Sequence, residues 1–71
     1  MKIYQLTQFG KRLARTTNNP DTPGWRVIHA LDAINFGTID QIALQAGVSE
    51  EETAAALGAL KRKSTPVVEE H

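Results

Sequence analysis

Apolar residues recur at the three- and four-residue spacing of an amphipathic helix in three stretches of the chain. The stretches cover residues 23–35, 39–46 and about 50–63. The positions expected to face inward are Val27, Ile28, Leu31 and Ile34, then Ile39, Ile42, Ala43 and Ala46, and finally Thr53, Ala56, Leu57 and Leu60. The pattern therefore predicts three helices that bury one face each against the others.

Turn-forming residues predict the limits of the first of these helices. Residues 17–24 form a loop rich in Thr, Asn and Pro, and within it Thr22 is expected as the N-cap and Pro23 as the first helical residue. Gly37 is expected to end the helix in the left-handed conformation.

The second and third helices each begin with the spacing of a capping box. Thr38 lies three residues before Gln41, and Ser49 lies three residues before Glu52. Gly47 is expected to end the second helix, which leaves a very short turn between the two.

The first sixteen residues predict a strand followed by a short helix. The start of the chain is β-prone, and Thr7 can cap a helix over residues 8–15. Phe9 and Leu13 fall on one face of that helix. Gly10 is expected to weaken it, because glycine has low helix propensity.

The composition limits the chain to one small domain without covalent cross-links. Its 71 residues carry eight Lys and Arg against eight Asp and Glu, and no cysteine, which excludes a disulfide framework and a thiolate metal site. No apolar run approaches the roughly 20 residues of a membrane span, and the N-terminus lacks an apolar signal core. We therefore expect a cytoplasmic protein with no membrane contact, metal or cofactor. The bulky core is expected to be led by Trp25, Phe9, Phe36 and Tyr4.

Residues 39–58 resemble a helix-turn-helix motif. The small Ala43 stands where two helices cross closely, and Gly47 stands four residues later at the sharp turn. Val48 follows as an apolar residue that enters the core. Thr53 departs from the motif, at a position where a branched aliphatic residue is usual.

More widely, residues 24–70 are similar to the winged-helix superfamily. The resemblance implies a mainly α fold with a small β component in a single domain, residues 1–71. Its expected parts are a three-helix winged helix-turn-helix with residues 39–63 as the motif, a short or incomplete wing, and an N-terminal strand-helix extension over residues 1–16.

The wing is where the chain departs from that pattern. Val67 and Val68 predict one strand after the third helix, but the chain ends at His71, too soon for a second wing strand. Either the second strand is missing and the chain is a fragment, or residues 3–6 pair with residues 66–70. An open edge would remain in the second arrangement, and small proteins often cover such an edge by dimerising.

The resemblance implies a DNA-binding domain of a transcription regulator, with the third helix in the major groove. It places toward DNA the residues Ser49, Glu50, Glu51, Ala54, Ala55 and Gly58. This face is poorly suited to DNA, because phosphates repel its carboxylates. The expected phosphate contacts are two basic groups, Lys61, Arg62 and Lys63, and Lys11, Arg12 and Arg15. The charges at the two ends of the third helix also suit its macrodipole. We expect two copies to bind double-stranded DNA as a homodimer.

A protein-interaction module on the same scaffold is the alternative function. Small residues four apart let another backbone approach a helix closely, and the third helix has two such pairs among Ala54, Ala55, Gly58 and Ala59. The partner would be a second copy or another protein. The high helix propensity of alanine explains the same residues without a partner.

No residue pattern indicates an enzyme. His29 and Asp32 lie one helical turn apart, close enough to pair, and Trp25 offers an aromatic surface. There is no metal-ligand spacing, phosphate-binding glycine loop or activated nucleophile. We therefore expect these three residues to be structural and the protein to have no catalytic residue.

Overall fold

The computed structural model describes residues 2–16 and 21–71. In chain order the elements are β1 (Tyr4–Leu6), α1 (Gln8–Thr16), α2 (Pro23–Ile34), β2 (Phe36–Gly37), α3 (Ile39–Ala46), α4 (Glu50–Lys61) and β3 (Val68–Glu70). The prediction of a mainly helical chain with a small β component is confirmed. Residues 17–20 of the predicted loop lie outside the described residues.

The three strands form one antiparallel sheet with the N-terminal strand at its centre. β1 pairs with β2 on one side and with β3 on the other. Tyr4 lies opposite Glu70 on β3 and opposite Gly37 on β2. Reciprocal backbone hydrogen bonds between Ile3 and His71, at 3.0 and 2.7 Å, extend the β1–β3 ladder. Of the two predicted arrangements, pairing of the N-terminal segment with the C-terminal segment is therefore correct. The sequence analysis missed β2.

The core is built around α2, which packs against the other three helices and two of the strands. Val27 and Leu31 of α2 are completely buried, as are Ile42 of α3 and Val67 before β3. Thr53 of α4 is also completely buried, and its hydroxyl donates to the Ser49 carbonyl at 2.9 Å. Threonine has the shape of a β-branched aliphatic residue, and this internal hydrogen bond satisfies its one polar group.

Two of the aromatic residues expected in the core lie at the surface. Phe9 is 40% exposed and Phe36 is 60% exposed. The buried residues of α1 are instead Gly10 and Ala14, because this helix lies too close to the chain before β3 for a large side chain. Successive strand residues point to opposite faces, so the burial of Gly37 in β2 turns Phe36 outward. Tyr4 is buried as expected, whereas Trp25 is only partly buried.

Three helix ends differ from the sequence predictions. Helix α2 ends at Ile34, and its C-cap is Asn35 rather than Gly37: Asn35 has the positive φ of 70° and donates its N–H to the Leu31 carbonyl at 2.8 Å. Asparagine tolerates this conformation better than most residues. The earlier stop leaves Gly37 free to pair with Tyr4 in the sheet. Helix α1 reaches Thr16, one residue beyond its predicted end at residue 15. Helix α4 ends at Lys61, two residues before its predicted end at about residue 63.

Candidate functional site

The turn between α3 and α4 is built by the residues that the sequence indicated. Gly47 adopts the left-handed conformation with φ of 73°. Its N–H and that of Val48 both donate to the Ala43 carbonyl, at 2.9 and 3.2 Å. Val48 packs partly buried against the core. Only three residues therefore separate two helices that both rest on α2.

Helix α4 begins with the predicted capping box. The Ser49 hydroxyl accepts a hydrogen bond from the Glu52 N–H at 3.0 Å, and the Glu52 carboxylate accepts one from the Ser49 N–H at 3.3 Å. These bonds satisfy two backbone donors that would otherwise lack partners, and so they fix where the helix starts.

Helix α3 begins with a related set of contacts. The Thr38 N–H donates to the Gln41 Oε1 at 3.0 Å, while the Thr38 hydroxyl donates to the Asp40 carboxylate. Two hydrogen bonds to the Asp40 carboxylate hold the pKa of Asp40 below its ordinary value. The larger effect comes from the Thr38 hydroxyl, and the next from the backbone N–H of Asp40 itself. Asp40 therefore adds a stable negative charge at the N-terminus of α3.

The outward face of α4 carries carboxylates and very small side chains. Ser49, Glu50, Glu51, Ala54 and Ala55 are exposed. Gly58 is only partly exposed, because the Arg62 side chain folds back along the helix and donates from Nε to the Gly58 carbonyl at 3.0 Å. A Cβ at position 58 would lie 3.0 Å from Arg62 Nη2. The structure therefore places one cation, the Arg62 guanidinium, over the outward face of α4, where the sequence predicted no basic side chain.

The basic residues at the end of α4 have different surroundings. Lys61 Nζ lies 3.2 Å from the Glu70 carboxylate, which also lies 4.0 Å from Lys2 Nζ. Among residues 2–16 and 21–71, no carboxylate forms an ion pair with Lys63. The charge of Lys61 is therefore partly neutralised by Glu70, whereas the exposed Lys63 has no such partner among the described residues.

The two basic groups predicted to contact phosphate lie on parts of the chain that contact each other directly. The Thr7 hydroxyl, which accepts the Gly10 N–H at the start of α1, also donates to the Pro66 carbonyl at 2.7 Å. Leu13 of α1 and Lys63 line one cavity. The exposed cations of α1 are Lys11, Arg12 and Arg15. The fold thus brings α1 against the segment that follows α4.

The small residues of α4 do not form a single surface. A groove of about 360 Å³ runs between α4 and the start of α2, and Ala55 and Ala59 line it together with Pro23. Ala54 is exposed outside that groove, and Gly58 lies under Arg62. Of the four residues of the predicted partner interface, the groove therefore contains two.

Sequence reasoning missed an apolar patch beside β2. Leu44 is 86% exposed, and it lines a shallow depression with Phe36 and Ile34. Leu44 lies outside the inward stripe of α3, which is the only signal in the sequence that could have revealed its exposure.

His29 and Asp32 do not form a site. The Nε2 atom of His29 is buried and has no hydrogen-bond partner among the described residues, and Asp32 is exposed. Within the described part of the chain, no group of three His, Asp or Glu residues could hold a metal ion. No helix there is long and apolar enough to cross a membrane.

Comparison with protein-family models, curated proteins and solved structures finds no match for this chain.

Proposed function

We propose that the chain is a DNA-binding domain of winged-helix type, in which α3 and α4 form the helix-turn-helix unit. The observation that carries the proposal is the three-residue turn at Gly47, with capped helices on both sides and both helices packed on α2. This is the arrangement by which such proteins hold a second helix out toward the major groove.

The sheet supports the same proposal in an altered form. In the resembled superfamily the wing consists of two strands that follow the third helix. Here β3 follows α4, and β1 pairs with it from the opposite end of the chain. We propose that β1 takes the place of the second wing strand. Without a wing loop, contact with DNA would depend on α4 and the basic residues near it.

The charges of this surface support weak, salt-dependent binding. Glu50 and Glu51 are repelled by phosphate, although a glutamate can accept a hydrogen bond from the cytosine amino group. Attraction would come from Arg62, Lys63 and the basic residues of α1. One such domain offers few phosphate contacts, so we propose that two copies bind one duplex.

An amide-resolved NMR titration with a short generic duplex at low salt tests this function. We expect shifts concentrated on residues 49–58 and 61–63, which disappear as salt is added. Absence of shifts at millimolar DNA would contradict DNA binding.

Two substitutions at Arg62 refine the test. Arg62→Glu should weaken binding to every DNA sequence alike, because phosphate contacts carry no sequence information. Arg62→Lys keeps the charge and is the matched control, which should bind nearly as well as the natural chain. Loss confined to one DNA sequence would contradict a phosphate-contacting role.

The groove beside α4 favours a second candidate function, protein interaction. Ala55 and Ala59 leave room for another backbone between α4 and Pro23. If a second copy binds there, light scattering should show a dimer that Ala59→Glu abolishes and that Gly58→Leu, which lies outside the groove, retains. A strict monomer at high concentration would exclude the homodimer.

A further inference from the structure

A cavity of about 250 Å³ lies where α1, α2, the end of α4 and the start of β3 converge. The side chains that form its walls are the apolar Leu13, Trp25, Ile28, Leu60 and Val67, the polar Thr22 and the cationic Lys63. Four separate parts of the chain therefore contribute to it, and all of these side chains except Thr22 and Lys63 are apolar. It is distinct from the outward face of α4 proposed to approach DNA.

The one charged group of the cavity determines what kind of ligand it suits. Lys63 has no ion-pair partner among the described residues, in contrast to Lys61, whose charge is matched by Glu70. The described residues that line the cavity include no carboxylate. Lys63 is exposed, and an ammonium group at the edge of an apolar cavity attracts a negatively charged group.

The size of the cavity limits the ligand to a small molecule. A dry cavity of about 150 Å³ lined by apolar side chains is enough to hold benzene. A cavity of about 250 Å³ therefore suits an apolar body of roughly six to ten carbon atoms. Trp25 is partly buried against the core and offers its indole ring as one wall.

We propose that this cavity binds a small monocarboxylic acid, with the apolar chain against Trp25 and the carboxylate paired with Lys63. The site does not depend on DNA binding, and its test requires no DNA. The two proposals share Lys63, so a bound carboxylate would neutralise one of the cations proposed to contact phosphate.

Titration with octanoate, followed by tryptophan fluorescence, tests the site. Trp25 is the only tryptophan in the chain, so its emission reports on the surroundings of one residue that lines this cavity. We expect a saturable change in emission with octanoate. The neutral 1-octanol should bind about fivefold more weakly, because it lacks the ion pair with the exposed Lys63.

Two lysine variants distinguish an ion pair with Lys63 from a general effect of the positive charge of the protein. Lys63→Gln should lower octanoate affinity to that of octanol and leave octanol affinity unchanged. Lys61→Gln removes the same charge two residues earlier, at a lysine that does not line the cavity, and should leave both affinities unchanged. Equal loss in both variants would contradict the proposed carboxylate position.

A variant that fills the cavity tests its location. Gly24 lines this cavity and also the groove between α4 and α2, and a Cβ added there would meet nothing within 4 Å, so Gly24→Leu introduces a side chain at the cavity without displacing a neighbour at its Cβ. It should abolish binding of both ligands, measured by the amide shifts of Leu13 and Val67 as well as by fluorescence. The proposal is wrong if millimolar octanoate causes no saturable change, or if Gly24→Leu binds as tightly as the natural chain.

Discussion

Gly10 lies where α1 passes the backbone of Val67. A Cβ at this position would lie 2.2 Å from the Val67 carbonyl oxygen and 3.0 Å from Leu6 Cδ2. Neither a backbone oxygen nor a buried leucine can move away at low cost. The glycine therefore permits the close approach that lets Thr7 hold the segment at Pro66, and its poor helix propensity is a secondary matter.

Gly10→Ala should destabilise the protein by about 3 kcal/mol, since α1 must shift to relieve a clash with backbone. Gly24→Ala is the matched control, because it also lies in a helix but has open space around the added methyl group. It should raise stability by about 0.5–1 kcal/mol through helix propensity. Urea unfolding measures both changes, and equal effects at the two glycines would contradict the close approach.

At the scale of elements, Glu70 joins β3 to its neighbours in the fold. It lies opposite Tyr4 of β1 in the sheet, and its carboxylate accepts a hydrogen bond from Lys61 at the end of α4. That bond, then one from Tyr4, and the nearby charge of Lys2 hold the pKa of Glu70 below its ordinary value of 4.5. Burial of the Tyr4 side chain raises the pKa of Tyr4, and its hydrogen bond to the negatively charged Glu70 carboxylate raises it further. The last strand is thus held both through its backbone and through one ionised side chain.

The lowered pKa of Glu70 predicts a pH-dependent contribution to stability. The contribution is fully present above the ordinary value of 4.5 and is lost as pH falls through the lower pKa of the folded state. Glu70→Gln should therefore be less stable than the natural chain near neutral pH, with a difference that shrinks in acid. Glu69→Gln, on the opposite face of β3, is the control and should have a smaller effect. A difference that does not depend on pH would contradict this assignment.

At the scale of the whole molecule, the two ends of the chain complete one sheet. β1 is its central strand and has a partner on each side, so neither β2 nor β3 contacts the sheet without it. Tyr4 and Leu6 of β1 are also buried in the core. The N-terminal segment is therefore an integral part of the fold rather than an extension added to it.

Deletion of residues 1–6 should abolish cooperative unfolding. Each buried side chain of β1 contributes roughly 1.5–3 kcal/mol, and a domain of this size has a total stability of only about 5–15 kcal/mol. Deletion of residues 1 and 2 alone keeps β1 and should preserve a sharp transition. Thermal unfolding followed by circular dichroism measures both. A cooperative transition in the longer deletion would show that the helices fold without the sheet.

The sequence predicted helices and their caps better than the bulky core. Ser49 and Gly47 act through neighbours within four residues, so their roles are visible in local spacing. Phe9 and Phe36 were wrongly expected inside, because hydrophobicity alone does not show which face of a short element is covered. Asn35 replaced Gly37 as the helix cap for a similar reason: Tyr4, the strand partner of Gly37, lies more than thirty residues away in the sequence.

For the candidate site, the α3–α4 turn and the charges at the two ends of α4 follow from the local sequence. These depend on hydrogen bonds and side-chain types within a few residues. Three further features became visible in the folded structure: Arg62 covers Gly58, Lys61 is paired while Lys63 has no ion-pair partner among the described residues, and β1 lies between β2 and β3. Each of those outcomes depends on how a side chain orients or on which distant segment it meets, and both are settled when the whole core packs.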